Sequence, residues 1–149
     1  MKQEIVIRTA RQEDAAVLAE LMNELGYPST QAQMNGRMEA ILLQPAYTTL
    51  LACLGDSIVG MLGACHQHYY EHNGSYVRIL ALVTHKDHRK IGVAQTLLAA
   101  AEAWARERDA GALVLNCGNR EERAAAHKFY AARGFRARST GYVRMLAPM

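Results

Sequence analysis

The chain reads as an α/β protein of the α+β kind, with one mixed, mostly antiparallel sheet, a parallel strand pair and about four helices in a single domain, residues 1–149. Three features predict this. Apolar residues alternate in short runs over much of the first half, the signature of half-buried strands. Elsewhere they recur at one-turn spacing in four separate stretches, as in amphipathic helices. Finally, the dipeptide Asn73-Gly74, a strong short-range hairpin signal, lies between two long strand-like runs.

Residues Glu4 to Arg8 alternate as a strand, and Val17, Leu18, Leu21, Met22 and Leu25 then form a helical stripe that Gly26 and Pro28 end. Thr30 with Gln33 makes a capping box for a second helix whose apolar positions are Met34, Met38, Ile41 and Leu42, stopped by Pro45. Thr48 to Leu54 is a strand, Gly55-Asp56 a turn, and Ser57 to Tyr70 a long strand. If Asn73-Gly74 is a two-residue turn, His72 pairs with Ser75, Tyr70 with Val77, His68 with Ile79 and Ala64 with Val83. That ribbon ends near Thr84. A third helix covers about Gly92 to Arg108, with Val93, Leu97, Ala101 and Trp104 on its buried face and Gly111 placed for a left-handed cap. Ala112 to Asn116 is a short buried strand, reached by a parallel crossover. A last helix, about Glu121 to Arg133, stops at Gly134, and strands at Phe135 to Ser139 and Tyr142 to Leu146 finish the chain.

Composition removes several classes of function. Half of the 149 residues are hydrophobic, enough for one real core, and no apolar run approaches the roughly 20 residues of a membrane helix. A net charge of +3 without a run of five basic residues argues against nucleic acid as a partner. The opening MKQEIVIRTARQED is charged and alternating, unlike a signal core, so a cytoplasmic protein is expected, with no membrane partner. Cys53, Cys65 and Cys117 are odd in number and widely spaced, which fits buried thiols instead of a disulfide framework or a zinc site.

The chemistry concentrates in Arg89-Lys90-Ile91-Gly92-Val93-Ala94, between a strand and a helix. First-turn N–H groups of a helix lack intrahelical partners and carry the positive end of its dipole, so such a junction binds anions. No Ser, Thr or Asn stands at the mouth of this helix, where a side-chain cap would take the amides a phosphate could use. Gly92 and Ala94 let a ligand approach the backbone, while Arg89 and Lys90 add positive charge. The nucleotide P-loop pattern GxxxxGK[ST] and the three-glycine dinucleotide fingerprint are both absent.

The stretch ILALVTHKDHRKIGVAQTLL resembles the acyl-CoA-binding motif of the GCN5-related N-acetyltransferase superfamily, in which a strand leads into [RQ]-x-x-G-x-[GA] and a helix; Arg89, Gly92 and Ala94 match it. A second stretch, REERAAAHKFYAARGF, resembles that family's C-terminal motif, and VIRTARQEDAAVLAELMNELG resembles its opening strand and helix. The chain departs from many members at Lys90 and Ile91, where they carry further glycines, and lacks the proline often found before the arginine.

The resemblance implies direct transfer of an acetyl group from acetyl-CoA, as cosubstrate, to an amine acceptor. It places the CoA diphosphate on the amides of Lys90, Ile91, Gly92, Val93 and Ala94, and the pantetheine arm along Leu82, Val83 and Thr84 where the parallel strands splay apart. An N–H near Val83 would polarise the thioester carbonyl. Arg123 and His127 fall at positions near the cofactor, and Tyr130 matches the tyrosine that points at the thioester sulfur. A phenol of pKa about 10 is a weaker acid than a thiol of about 8.5, so a hydrogen bond to sulfur is the firmer role for Tyr130. The acceptor amine, with pKa about 10.4, must lose a proton at a cost of about 4 to 5 kcal/mol near neutral pH. Glu71, His66, His68, His72 and His85 are candidates for that base, and none is singled out. Alternating strand side chains span too far for His66, His68 and His72 to converge, so no metal is expected. A homodimer is compatible with the resemblance, since many relatives pair through sheet edges or C-terminal strands. The competing reading is a coenzyme-binding sensor or partner-binding module of the same fold with little catalysis. Acceptor identity is expected to be set by the first two helices and nearby loops, here Leu25 to Tyr47.

Overall fold

A computed structural model of the chain describes residues 4–89, 91–116, 124–138 and 141–147. The elements run β1 (Ile5–Thr9), α1 (Ala15–Leu25), α2 (Gln31–Leu42), β2 (Tyr47–Leu54), β3 (Ser57–His68), β4 (Ser75–Thr84), α3 (Val93–Glu107), β5 (Leu113–Leu115) and α4 (Ala124–Ala132). Short 3-10 turns at Gln12–Asp14 and Lys86–His88 precede α1 and α3. The strands form one five-stranded sheet in the order β1-β2-β3-β4-β5, antiparallel up to β4 and parallel between β4 and β5. By contacts the chain divides into two compact units, Met1–Val114 and Leu115–Met149.

In the first unit, Leu18, Leu21, Met34 and Met38 from α1 and α2 bury against Leu51, Met61 and Val83 of the sheet. Successive strand residues face opposite ways. Gly60, next to Met61, accordingly meets Val93 and Leu97 of α3, so α3 covers the other face. Covered on both sides, β2 is buried continuously from Thr48 to Ala52. The predicted capping box is present: Thr30 Oγ1 accepts the Gln33 N–H at 3.1 Å and Gln33 Oε1 accepts the Thr30 N–H at 2.9 Å. Gly26, at φ 101°, ends α1, with the Tyr27 N–H closing onto Met22 O at 2.9 Å. An ion pair fixes the entry to α1. Arg8 grips the buried Asp14 through both guanidinium nitrogens at 2.9 Å, and the Arg11 N–H donates to the same carboxylate at 2.7 Å. The Arg8 side-chain bonds, ahead of the backbone bond, hold the Asp14 carboxyl below its ordinary pKa against the cost of burial.

Several expectations are corrected. The β3–β4 connection is not a two-residue turn: β3 ends at His68, which pairs with Ser75, and Ala64 pairs with Ile79, four residues from the predicted partners. A type I′ turn needs left-handed backbone at both central residues. Gly74 is left-handed, but Asp109 is the only non-glycine with positive φ among the described residues, so Asn73 is not. Tyr69 instead packs its ring on His72 and Tyr76 across a wider loop. The left-handed residue after α3 is Asp109, at φ 56°, and not Gly111, whose N–H donates to Ser75 O at 2.9 Å beside β4. Trp104 is half-buried instead of core, with the Arg108 guanidinium 3.8 Å from its ring centroid. Residues 135–138 and 141–147 form no strand. Alternation there finds no ladder partner among the described residues to supply the hydrogen bonds of a strand.

Of the thiols, Cys65 is buried, which pushes its pKa up, and Cys53 is half-buried. Cys117, the predicted helical residues 121–123 and Ser139 lie outside the described residues.

Candidate active site

The site begins where β4 ends. Leu82, Val83 and Thr84 pair with Leu62, Met61 and Gly60 of β3, and the His85 N–H continues that ladder to Val59 O at 2.8 Å. Val83 is buried in the core shared with α1 and α2. The chain then turns through Lys86–His88, where the His85 Nδ1 accepts the Asp87 N–H at 3.2 Å and the His88 N–H donates to His85 O at 2.9 Å. Arg89 follows in extended backbone, exposed, with Nη2 3.6 Å from Oε2 of Glu24 in the last turn of α1. Ile91 is also exposed.

Gly92 is the N-terminal boundary of α3, with φ 87° and ψ 14°, a left-handed conformation that costs any L-residue about 1–2 kcal/mol. Among the described residues no side chain caps the helix there. Thr96 points the wrong way to do so, donating both its N–H (3.0 Å) and its hydroxyl (2.8 Å) back to Gly92 O. Among the described residues an added Cβ on Gly92 would meet nothing within 4 Å, so they leave the space before the helix open. Val93 and Leu97 are buried against the sheet, which leaves the backbone of Val93, not its side chain, for a ligand. Ala94 is half-buried.

Of the other predicted site residues, Lys90 and Arg123 lie outside the described residues. His127 and Tyr130 belong to the second unit, on α4, His127 exposed and Tyr130 half-buried. Tyr130 stands edge-on to Phe129 and Phe135 at centroid distances of 5.6 and 5.7 Å, and its carbonyl accepts the Phe135 N–H at 3.1 Å after left-handed Gly134. Of the candidate bases, His66 and His68 of β3 approach each other, with ring centroids 5.1 Å apart. The His66 Nε2 lies 2.8 Å from Ser75 Oγ, and burial, then the neighbouring His68 and Arg108, push its pKa down. His85 belongs to the turn before α3, its ring 5.5 Å from that of His88. No group of three His, Cys, Asp or Glu placed to hold a metal occurs among the described residues.

Three residues of the site were missed in the sequence. Gly60 admits α3 onto the sheet: a Cβ there would lie 2.7 Å from Val93 Cγ1, 3.1 Å from Val83 O and 3.2 Å from Leu97 Cδ1. A glycine inside a strand often marks such an approach, and that signal was available. Glu24, which meets Arg89, and His88, whose buried Nδ1 has no hydrogen-bond partner among the described residues, carried no local signal.

A model of the acetyltransferase (GNAT) family matches residues 15–135, most of the chain and both of its units. The chain belongs to the acetyltransferase (GNAT) family. A GNAT family acetyltransferase from Staphylococcus aureus is 30% identical, with 95% of this chain and 98% of that one covered at a TM-score of 0.82. The fold is also that of an aminoglycoside N-acetyltransferase in complex with CoA (19% identity, 99% and 98% covered, TM-score 0.83). It is shared too with a ribosomal-protein-alanine N-acetyltransferase from Brucella melitensis (23% identity, 96% and 100% covered, TM-score 0.77). No curated protein matches the chain. For a GNAT acetyltransferase the turn before α3 suits a polyanionic coenzyme: among the described residues the helix mouth has no side-chain cap and the space in front of Gly92 is open, with Arg89 three residues before it. Among the described residues no helix is long and apolar enough to cross a membrane.

Proposed function

We propose that the protein is an N-acetyltransferase that moves the acetyl group of acetyl-CoA directly to a primary amine, acting as one domain over residues 1–149 in the cytoplasm. The observation that carries this reading is the α3 mouth, where left-handed Gly92 opens a helix that no side chain caps among the described residues. In this reading the first-turn backbone of α3 binds the diphosphate, with Arg89 and Lys90 adding charge, and the family resemblance proposes Arg123 and His127 as further coenzyme-binding residues. The backbone of Leu82, Val83 and Thr84 takes the pantetheine arm as an added strand partner, and an N–H near Val83 polarises the carbonyl. Support for this comes from the shortness of β5, three residues against ten in β4. Bound acetyl-CoA supplies a thioester that an amine lone pair can open. Tyr130 donates its hydroxyl proton toward the departing sulfur, which in a dry site needs a donor.

The test is thiol release from acetyl-CoA with a panel of amines: small alkylamines, polyamines, aminoglycosides and peptides with free N-termini. Release above the hydrolytic background with at least one class is expected. Coenzyme binding without turnover across the panel would favour a sensor over an enzyme.

A further inference from the structure

The ion pair between Arg89 and Glu24 joins the proposed phosphate turn to a different part of the fold. Glu24 lies in the final turn of α1, and α1 has no basic residue in that turn. A helix C-terminus is the negative end of its dipole, so a carboxylate there calls for a cation from elsewhere. Arg89 supplies it, with a mostly buried carboxylate (19% exposed) facing a mostly exposed guanidinium (56%). Their single 3.6 Å approach is a charge contact without the bidentate fork that Arg8 makes to Asp14. Such a contact is easily exchanged for a stronger anion. Directly after Glu24 and Leu25 come Gly26 and the connection through Pro28 to the Thr30 cap of α2.

Building on the function proposed above, we infer that Glu24 is a positioning residue that competes with the coenzyme diphosphate for Arg89. In the free protein Glu24 holds the guanidinium against α1. Coenzyme draws Arg89 away, and the last turn of α1 with the connection to α2 loses its counter-charge.

Calorimetric titration of CoA into the parent, Glu24→Gln, Arg89→Gln and the double variant tests this, with thermal melts to confirm that each is folded. Glu24→Gln should bind CoA about two- to fivefold tighter than the parent, the range expected for an ion pair with one exposed partner. In the Arg89→Gln background the same substitution should change affinity by less than about 1.5-fold, because the competition is gone. Equal or weaker binding by Glu24→Gln overturns the inference. So does a gain that persists without Arg89, which would mean simple repulsion between carboxylate and coenzyme. A parent that binds no CoA would instead overturn the phosphate turn itself, a failure distinguishable from the other two.

Discussion

Replacing Gly60 by alanine adds one methyl group at the place where α3 comes nearest the sheet. The new carbon would sit 2.7 Å from Val93 Cγ1, 3.1 Å from Val83 O and 3.2 Å from Leu97 Cδ1. None of these can yield cheaply: Val93 is β-branched and 1% exposed, Leu97 is fully buried, and the third atom is backbone. Relief must come from lifting the first turn of α3, which is the proposed phosphate mouth. Overpacking of this sort costs about 1–3 kcal/mol. At about 2–4 °C per kcal/mol for a chain of this size, the melting temperature should fall by about 2–12 °C. Gly63→Ala is the matched control in the same strand, because its added carbon would meet only the flexible end of Met61 at 3.8 Å. Differential scanning calorimetry compares the two, and CoA titration should find weaker binding for Gly60→Ala alone. Equal melting temperatures for Gly60→Ala, Gly63→Ala and the parent would refute the packing argument.

Gly92→Glu should abolish CoA binding with the fold retained, since it places a negative side chain at the mouth and strains a backbone at φ 87°; calorimetry with circular dichroism reads both. Tyr130→Phe should leave CoA affinity within about twofold and slow turnover by about tenfold or more, and a variant as fast as the parent would reduce Tyr130 to packing. Asp14→Asn should destabilise the protein by about 1.5–3 kcal/mol at pH 7, the range for hydrogen bonds to a charged group. The Asp14 carboxyl has its pKa lowered by folding, so its contribution is complete above the unfolded value of about 3.9 and is lost as pH falls through the folded value. Denaturant titrations of parent and variant should therefore converge at the acid end and separate as pH rises.

The parts of the fold set by local chemistry could be read from the sequence. Thr30 and Gln33 announced the start of α2, Gly26 and Pro28 the end of α1, and the strand-to-helix junction at Gly92 was visible from its glycine and its missing cap. What depended on distant packing could not. The β3–β4 register turned on whether Asn73 adopts left-handed backbone, which a dipeptide favours but does not decide, and the ring of Tyr69 on Tyr76 accompanies a wider loop. From Ala64 to His68 the shift is four residues, an even number that keeps side chains on their predicted faces, but a bulge between Gly63 and Ala64 makes it three beyond that point, so Val83 faces the same side as Met61 instead of Ala64. Trp104 continued an apolar stripe but finds Arg108 across its ring, a contact made with the next turn of its own helix and its cap. At the site, residues contiguous in sequence were found together, whereas Glu24 reaches Arg89 only because α1 packs beside the end of β4.

The central claim is that backbone before and within the first turn of α3 holds the coenzyme diphosphate. A crystal structure of the protein with CoA tests it most directly. The expected result is phosphate oxygens within hydrogen-bonding distance, about 2.7–3.2 Å, of main-chain nitrogens between residues 90 and 94, with the Arg89 guanidinium turned toward them. Phosphates bound elsewhere, or those nitrogens bonded to protein atoms in the complex, would contradict it.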